Sequence, residues 1–155
     1  MDVDAGIADA TGATRARSGR HPVLLATLGA PFDPEAAAVA VDAAVESGEP
    51  LIVANVVELL PLPLSSLLGH DQVESDEDAE ALRAPAELAR SLGVAVERLR
   101  VRSPRPVEAL LELVGEREPA LLVFGPDRSR LAPRRYRKAA KAVRERANCL
   151  VWLSQ

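Results

Sequence analysis

At 155 residues the chain has the length of one domain, enough to bury a core without disulfides or metals. Apolar residues make up 48% and aromatics 3%, so that core is built from small aliphatic side chains, and a single cysteine rules out an internal disulfide. The net charge of −4 implies no nucleic-acid partner, and no apolar run approaches the roughly 18 residues of a membrane span; a cytoplasmic protein is expected.

Residues 1–20 mix Asp, Ala, Gly, Thr, Arg and Ser without apolar periodicity and lack the apolar centre of a signal peptide. They are expected to be a disordered tail ahead of one domain over 21–155. Val23–Thr27 is a short buried strand ended by Gly29, Ala30 and Pro31. Asp33, Pro34 and Glu35 open a helix as cap, first residue and first-turn acid. Its apolar face is expected from Ala37, Val41, Ala44 and Val45, and its stop from Gly48. Leu51–Val57 is apolar almost throughout, which suits a strand covered on both faces.

Residues 59–69 form a Pro/Leu-rich loop, and residues 71–80 carry six acids. A helix follows, with Ala79, Leu82, Ala86 and Ala89 at helical spacing, Pro85 as a kink, and Gly93 as terminator. Val94–Arg102 is a strand. Arg98, Arg100 and Arg102 alternate with Leu99 and Val101, a polar face that suits a sheet edge. Pro106 opens the third helix, with Val107, Leu110, Leu111 and Val114 inward and Gly115 at its close. Leu121–Phe124 is the fourth strand. Pro133–Ala147 is the last helix, with Tyr136, Ala139, Ala140, Val143 and Ala147 inward. Cys149–Leu153 is the fifth strand. This alternation of strands and helices predicts a three-layer, doubly wound α/β fold. Its five parallel strands run in the order 3-2-1-4-5, with two helices on each face.

The order and spacing of these pieces resemble the universal stress protein family, across nearly all of His21–Leu153. The matching segments are Val23–Thr27 with Gly29, Leu51–Glu58, Val107–Glu116, Pro119–Gly125 and Arg146–Leu153. The resemblance implies the family's fold, that of the adenine nucleotide alpha-hydrolase-like proteins, a homodimer and a regulatory role in stress. The family's ATP binders carry an acid just after the first strand. After the fourth strand they carry Gly-x-x-Gly, nine residues, then Gly and a hydroxyl residue. Here Leu28 holds the acid's place. Gly125 matches the first glycine, while Arg128, Lys138 and Ala139 stand at the other three positions. A loop that wraps phosphate needs glycines so that its backbone can approach. The expectation is therefore a dimeric interaction module that does not bind ATP in the family's usual way, with ATP and AMP disfavoured as cofactors, and not an enzyme, a nucleotidase being a distant third reading.

The charge is bipolar. Residues 126–146 carry nine bases and two acids, net +7, which leaves −11 for the rest of the chain. One reading is a solvated helix face that answers the acidic 71–80 stretch, within the chain or across a dimer. The alternative is a sensor that holds a nucleotide or other phosphorylated small molecule in a rebuilt basic cleft. That cleft would be formed by Thr27, Gly29, Val56, Gly125, Arg128, Arg130 and Lys138. Nucleic acid is disfavoured, because Tyr136, the segment's one aromatic, is better used as core. Neither His21 nor His70 has metal-ligand spacing to a partner, and Cys149 in an apolar strand reads as an inert thiol. The uncharged edge strand Cys149, Leu150, Val151, Trp152 and Leu153 is the expected dimer interface.

Overall fold

The computed structural model describes residues 21–59 and 76–155, with side chains from residue 79 in the second segment. The expected tail, residues 60–69 of the Pro/Leu-rich loop, His70 and residues 71–75 of the acidic stretch lie outside the described residues. The elements follow in strict alternation. They are β1 (Val23–Thr27), α1 (Pro34–Ser47), β2 (Leu51–Glu58), α2 (Asp76–Ser91), β3 (Val96–Ser103), α3 (Pro106–Arg117), β4 (Leu121–Phe124), α4 (Pro133–Arg146) and β5 (Leu150–Leu153). Every pairing between these strands is parallel, and the order is β3-β2-β1-β4-β5. Both features were expected from the alternation alone.

The two faces of the sheet carry separate cores, because alternate residues of each strand point opposite ways. Leu25, Val53 and Val123 meet Ala36, Ala40, Ala44 of α1 and Leu82, Ala86, Ala89 of α2 on one face. Leu24, Ile52, Leu122 and Phe124 meet Leu110 of α3 and Ala139, Ala140, Val143 of α4 on the other. Alanine dominates the helical side of the first core, which lets α1 lie close to the sheet.

Asp33 caps α1 as expected, accepting from the Glu35 N–H at 3.4 Å, and Gly48 ends it with φ 74°. Five details differ from the sequence reading. The buried face of α1 is Ala36, Ala40, Val41 and Ala44, so Val45 is left 43% exposed. In α3 the buried leucines are Leu110 and Leu113 rather than Leu111. And α3 runs through Gly115 to Arg117, ending on Glu118 in the left-handed region at φ 49°. The residue before a proline is kept out of the helical region, and here that residue is Glu118, ahead of Pro119. Proline, not the glycine, sets that helix end. β3 starts two residues later than expected, at Val96, and β5 one residue later, at Leu150.

Candidate functional site

In an open parallel sheet a ligand crevice opens at the carboxyl ends of the strands, where successive connections leave to opposite faces. Here that point lies between β1 and β4, because α1 packs on one face and α4 on the other. Four of the seven candidate residues converge near it, and most are already engaged. Thr27 is fully buried and its hydroxyl donates to the Ala30 carbonyl at 2.9 Å. Gly29, at φ 72°, donates its N–H to Asn55 Oδ1 at 2.8 Å. Gly125 is buried against α1, where a Cβ would overlap that of Ala36. Arg128 lies beyond it in a 3-10 turn, Arg128–Arg130, with its guanidinium 4.2 Å from the centre of the Tyr136 ring.

Of the other three, Val56 and Lys138 lie outside the loops that follow β1 and β4. Val56 on β2 is fully buried in the core of the α3/α4 face. Arg130 is exposed in the same 3-10 turn. Lys138 is exposed in the second turn of α4, and Ala139 beside it is fully buried. The positions matching the family's last glycine and hydroxyl are therefore inside a regular helix, not at its start.

Backbone hydrogen bonds clasp the two loops of the switch point together. The Gly125 N–H extends the β1–β4 ladder by donating to Ala26 O at 3.0 Å. The Asp33 N–H donates to Gly125 O at 2.9 Å, and the Asp127 N–H to Pro31 O at 2.8 Å, around a bridge between Phe32 and Pro126. Asp127 also caps the 3-10 turn, accepting from Ser129 N–H at 3.0 Å and Ser129 Oγ at 2.7 Å. Those two bonds, with Arg130 nearby, hold its carboxyl below the usual carboxylate range.

Apolar side chains fill the space above the ends of β1 and β4 on the α4 side. Leu28 is 2% exposed and Leu131 8%, both part of the core that includes Phe124 and Tyr136. The Phe124 and Tyr136 rings stack at 5.8 Å, and Arg128 covers the outer one. The Tyr136 hydroxyl donates to Ser154 O at 2.7 Å, and Ser154 Oγ donates to Pro126 O at 3.2 Å. The chain after β5 thus seals the same region. Two hollows, of about 870 Å³ and about 490 Å³, open at the opposite, amino end of the sheet, the larger beside Pro50 and Gly93 and the smaller beside His21 and Asn148.

Asn55 and Ser154 were not singled out from the sequence. Asn55 was legible as the one polar residue in an apolar run. It is fully buried, and its Nδ2 has no hydrogen-bond partner among the described residues. Ser154 carried no sequence signal. Cys149 is half-buried, and burial pushes its thiol above the ordinary value, with a backbone hydrogen bond to Leu122 acting the other way. A protonated thiol is a poor nucleophile.

The family's sequence profile, described as the universal stress protein family, matches residues 19–155. The chain belongs to the universal stress protein family. No curated protein sequence matches it. Among solved structures, a universal stress family protein from Burkholderia pseudomallei superposes with a TM-score of 0.64 at 20% identity, covering 88% of this chain and 97% of that one. A universal stress protein solved in complex with cAMP gives 0.59 at 25% identity, covering 88% and 97%. One from Archaeoglobus fulgidus in complex with dAMP gives 0.59 at 20% identity, covering 87% and 98%. These neighbours share the fold of this universal stress protein across nearly its whole described length. No helix among its described residues is long and apolar enough to cross a membrane.

Proposed function

We propose that this universal stress protein is a cytoplasmic, dimeric interaction module of the stress response that does not use ATP as the family's ATP binders do. The observation that carries the reading is the burial of Leu28. It stands where those binders place an acid, and it is 2% exposed among core side chains. A nucleotide entering from that side would have to displace Leu28, Leu131 and the Tyr136 stack. Ala139 adds to this, since it is buried at the hydroxyl position. The dimer is supported by β5, an uncharged edge strand whose Leu150 is 75% exposed. The other edge, β3, exposes Arg98 and Arg102 and is protected against pairing by charge. Two-fold pairing of β5 with its copy covers both edges at once.

A second reading is supported by one specific feature. Asn55 Nδ2 is a buried donor without a partner among the described residues, beside the switch point, and the neighbour with cAMP is the most similar of the three in sequence, at 25%. On that reading a nucleotide or another phosphorylated small molecule supplies the missing acceptor, with Arg128 and Arg130 at the rim.

Titration calorimetry with ATP and magnesium, AMP and cAMP separates the two. The first reading expects no heat of binding. A dissociation constant near 1 μM, about 8 kcal/mol, for any of them overturns it in favour of the second. Native mass spectrometry of the same sample tests the dimer, and Val151→Lys is expected to convert it to folded monomer. A wild-type monomer at micromolar concentration, or a dimer indifferent to that substitution, excludes the β5 interface.

A further inference from the structure

The four helices do not share charge evenly. α1 carries Glu35, Asp42 and Glu46 and no base, net −3. α2 carries five acids against Arg83 and Arg90, also net −3. α3 carries Glu108, Glu112 and Glu116 against Arg117, net −2. α4 carries seven bases against Glu145, net +6.

The seven bases divide in two. Arg135 pairs with Glu58 at the end of β2, at 2.9 Å, and Arg146 grips Glu108 of α3 with two hydrogen bonds of 2.8 and 3.0 Å. These two pin the helix at both ends. Arg134, Arg137, Lys138, Lys141 and Arg144 recur every three or four residues on the side away from the buried Tyr136, Ala139, Ala140 and Val143. Among the described residues, only Lys141 of these five meets a carboxylate, Glu145 at 3.5 Å. The row is about 15 Å long, ten residues at about 1.5 Å each.

Such a row acts against its own helix. Residues 134/137, 134/138, 137/141, 138/141 and 141/144 are like-charged neighbours at the spacings where side chains meet. Glu80 and Glu87, the α2 acids with described side chains, do not answer them, because their helix packs on the other face of the sheet. The neighbouring ion pairs are spent on Arg135 and Arg146. The surface therefore costs the fold something, and among the described residues the exposed Glu112 and Glu116 of α3 in the same layer form no ion pair with it.

We infer that the outer face of α4 is a docking surface for a short acidic segment of a partner protein. This deepens the interaction-module reading and rests on it, but it concerns a different surface from the β5 edge. The footprint sets the length. About 15 Å accommodates four to five residues of extended chain at about 3.3 Å each. On one side of such a chain, side chains recur every second residue, close to the 5–6 Å between neighbouring bases on the helix. Length also argues against nucleic acid. α3 alongside exposes Glu112 and Glu116, and residues outside 126–146 sum to −11, so a duplex extending past α4 would meet its own sign of charge. Tyr136 is 5% exposed and offers no base a stacking partner.

The test is fluorescence anisotropy with a labelled decaglutamate peptide at about 0.15 M salt, a decaglutamine peptide as neutral control and an unlabelled DNA duplex as competitor. Wild type is expected to bind the glutamate peptide and not the glutamine one. Arg137→Glu with Lys138→Glu turns four of the five repulsive pairs attractive. It is expected to weaken peptide binding by tenfold or more while raising the melting temperature. Arg98→Glu with Arg102→Glu, on the β3 edge, is expected to leave the affinity within about twofold. The proposal falls if wild type fails to bind, if the β3 variant loses as much affinity as the α4 variant, or if the duplex binds more tightly than the peptide. None of these outcomes depends on the oligomeric state or on ATP, which the calorimetry and mass spectrometry read separately.

Discussion

A Cβ built on Gly125 would overlap that of Ala36, because α1 crosses directly over the end of β4. The glycine is thus required by helix packing whether or not any phosphate is present. Gly125→Ala is expected to cost about 1–3 kcal/mol, the usual range for overpacking, and to lower the melting temperature by several degrees. Adding Ala36→Gly should restore part of the loss, because the two methyl groups compete for one space. Strict additivity of the two substitutions in thermal denaturation would show that the contact is not the cause. Leu28 gives the complementary case. Leu28→Asp restores the acid of the ATP-binding relatives but buries a carboxylate among apolar side chains. It is expected to destabilise by more than about 3 kcal/mol and not to create ATP binding. Asp127 supplies a pH-dependent test. Its carboxyl is held low by Ser129, so its contribution is present at neutral pH and disappears as pH falls through the lowered folded-state value. Asp127→Ala is expected to lose about 1 kcal/mol at pH 7, typical of a lost cap. Melting curves of variant and wild type should converge in acid; an offset unchanged from neutral to acid pH would exclude the carboxylate as its source.

At the scale of elements, α4 is fastened to the end of the chain through Tyr136. Its hydroxyl holds the Ser154 carbonyl, and its ring lies between Phe124 and Arg128. Tyr136→Phe keeps the stack and removes the bond, leaving a buried carbonyl unsatisfied. The expected cost is about 1–3 kcal/mol, read by denaturant unfolding. Tyr136→Leu should cost more, because the ring contacts with Phe124 and Arg128 go too. If Phe and Leu cost the same, the ring stack contributes nothing. The elements themselves were largely legible. β1, β2 and β4 are apolar runs between glycine and proline, and α1 has its Asp33–Pro34–Glu35 start and Gly48 stop. The misses came from within a helical turn. A string of Ala and Val in α1, and of leucines in α3, does not say which quarter of the helix meets the sheet. That choice depends on where the strands below leave room.

Viewed as a whole, the molecule has an acidic layer of α1 and α2, and an opposite layer in which acidic α3 lies beside basic α4. Sequence counting found the bipolar charge, and the described structure places its positive part on one helix surface. Much of the candidate cleft was legible as a location, since strand order puts the switch point between β1 and β4. Its occupancy was not legible. Thr27, Gly29, Gly125 and Arg128 are close together, yet the first three are used by local hydrogen bonds and helix packing and the last lies on an aromatic ring.

The sequence by itself determined the number, kind and order of the elements, because hydrophobic period and turn chemistry are local properties. It also determined the sheet order, because parallel strands joined by right-handed crossovers leave few alternatives. Only the tertiary structure decided that Leu28 and Leu131 lie in the core above the strand ends, that the loops after β1 and β4 are clasped together, and that of five bases in a row on α4 only Lys141 meets an acid among the described residues. Each of these joins residues distant in the chain, whose neighbours are chosen by the packing of one layer on another and by no local pattern.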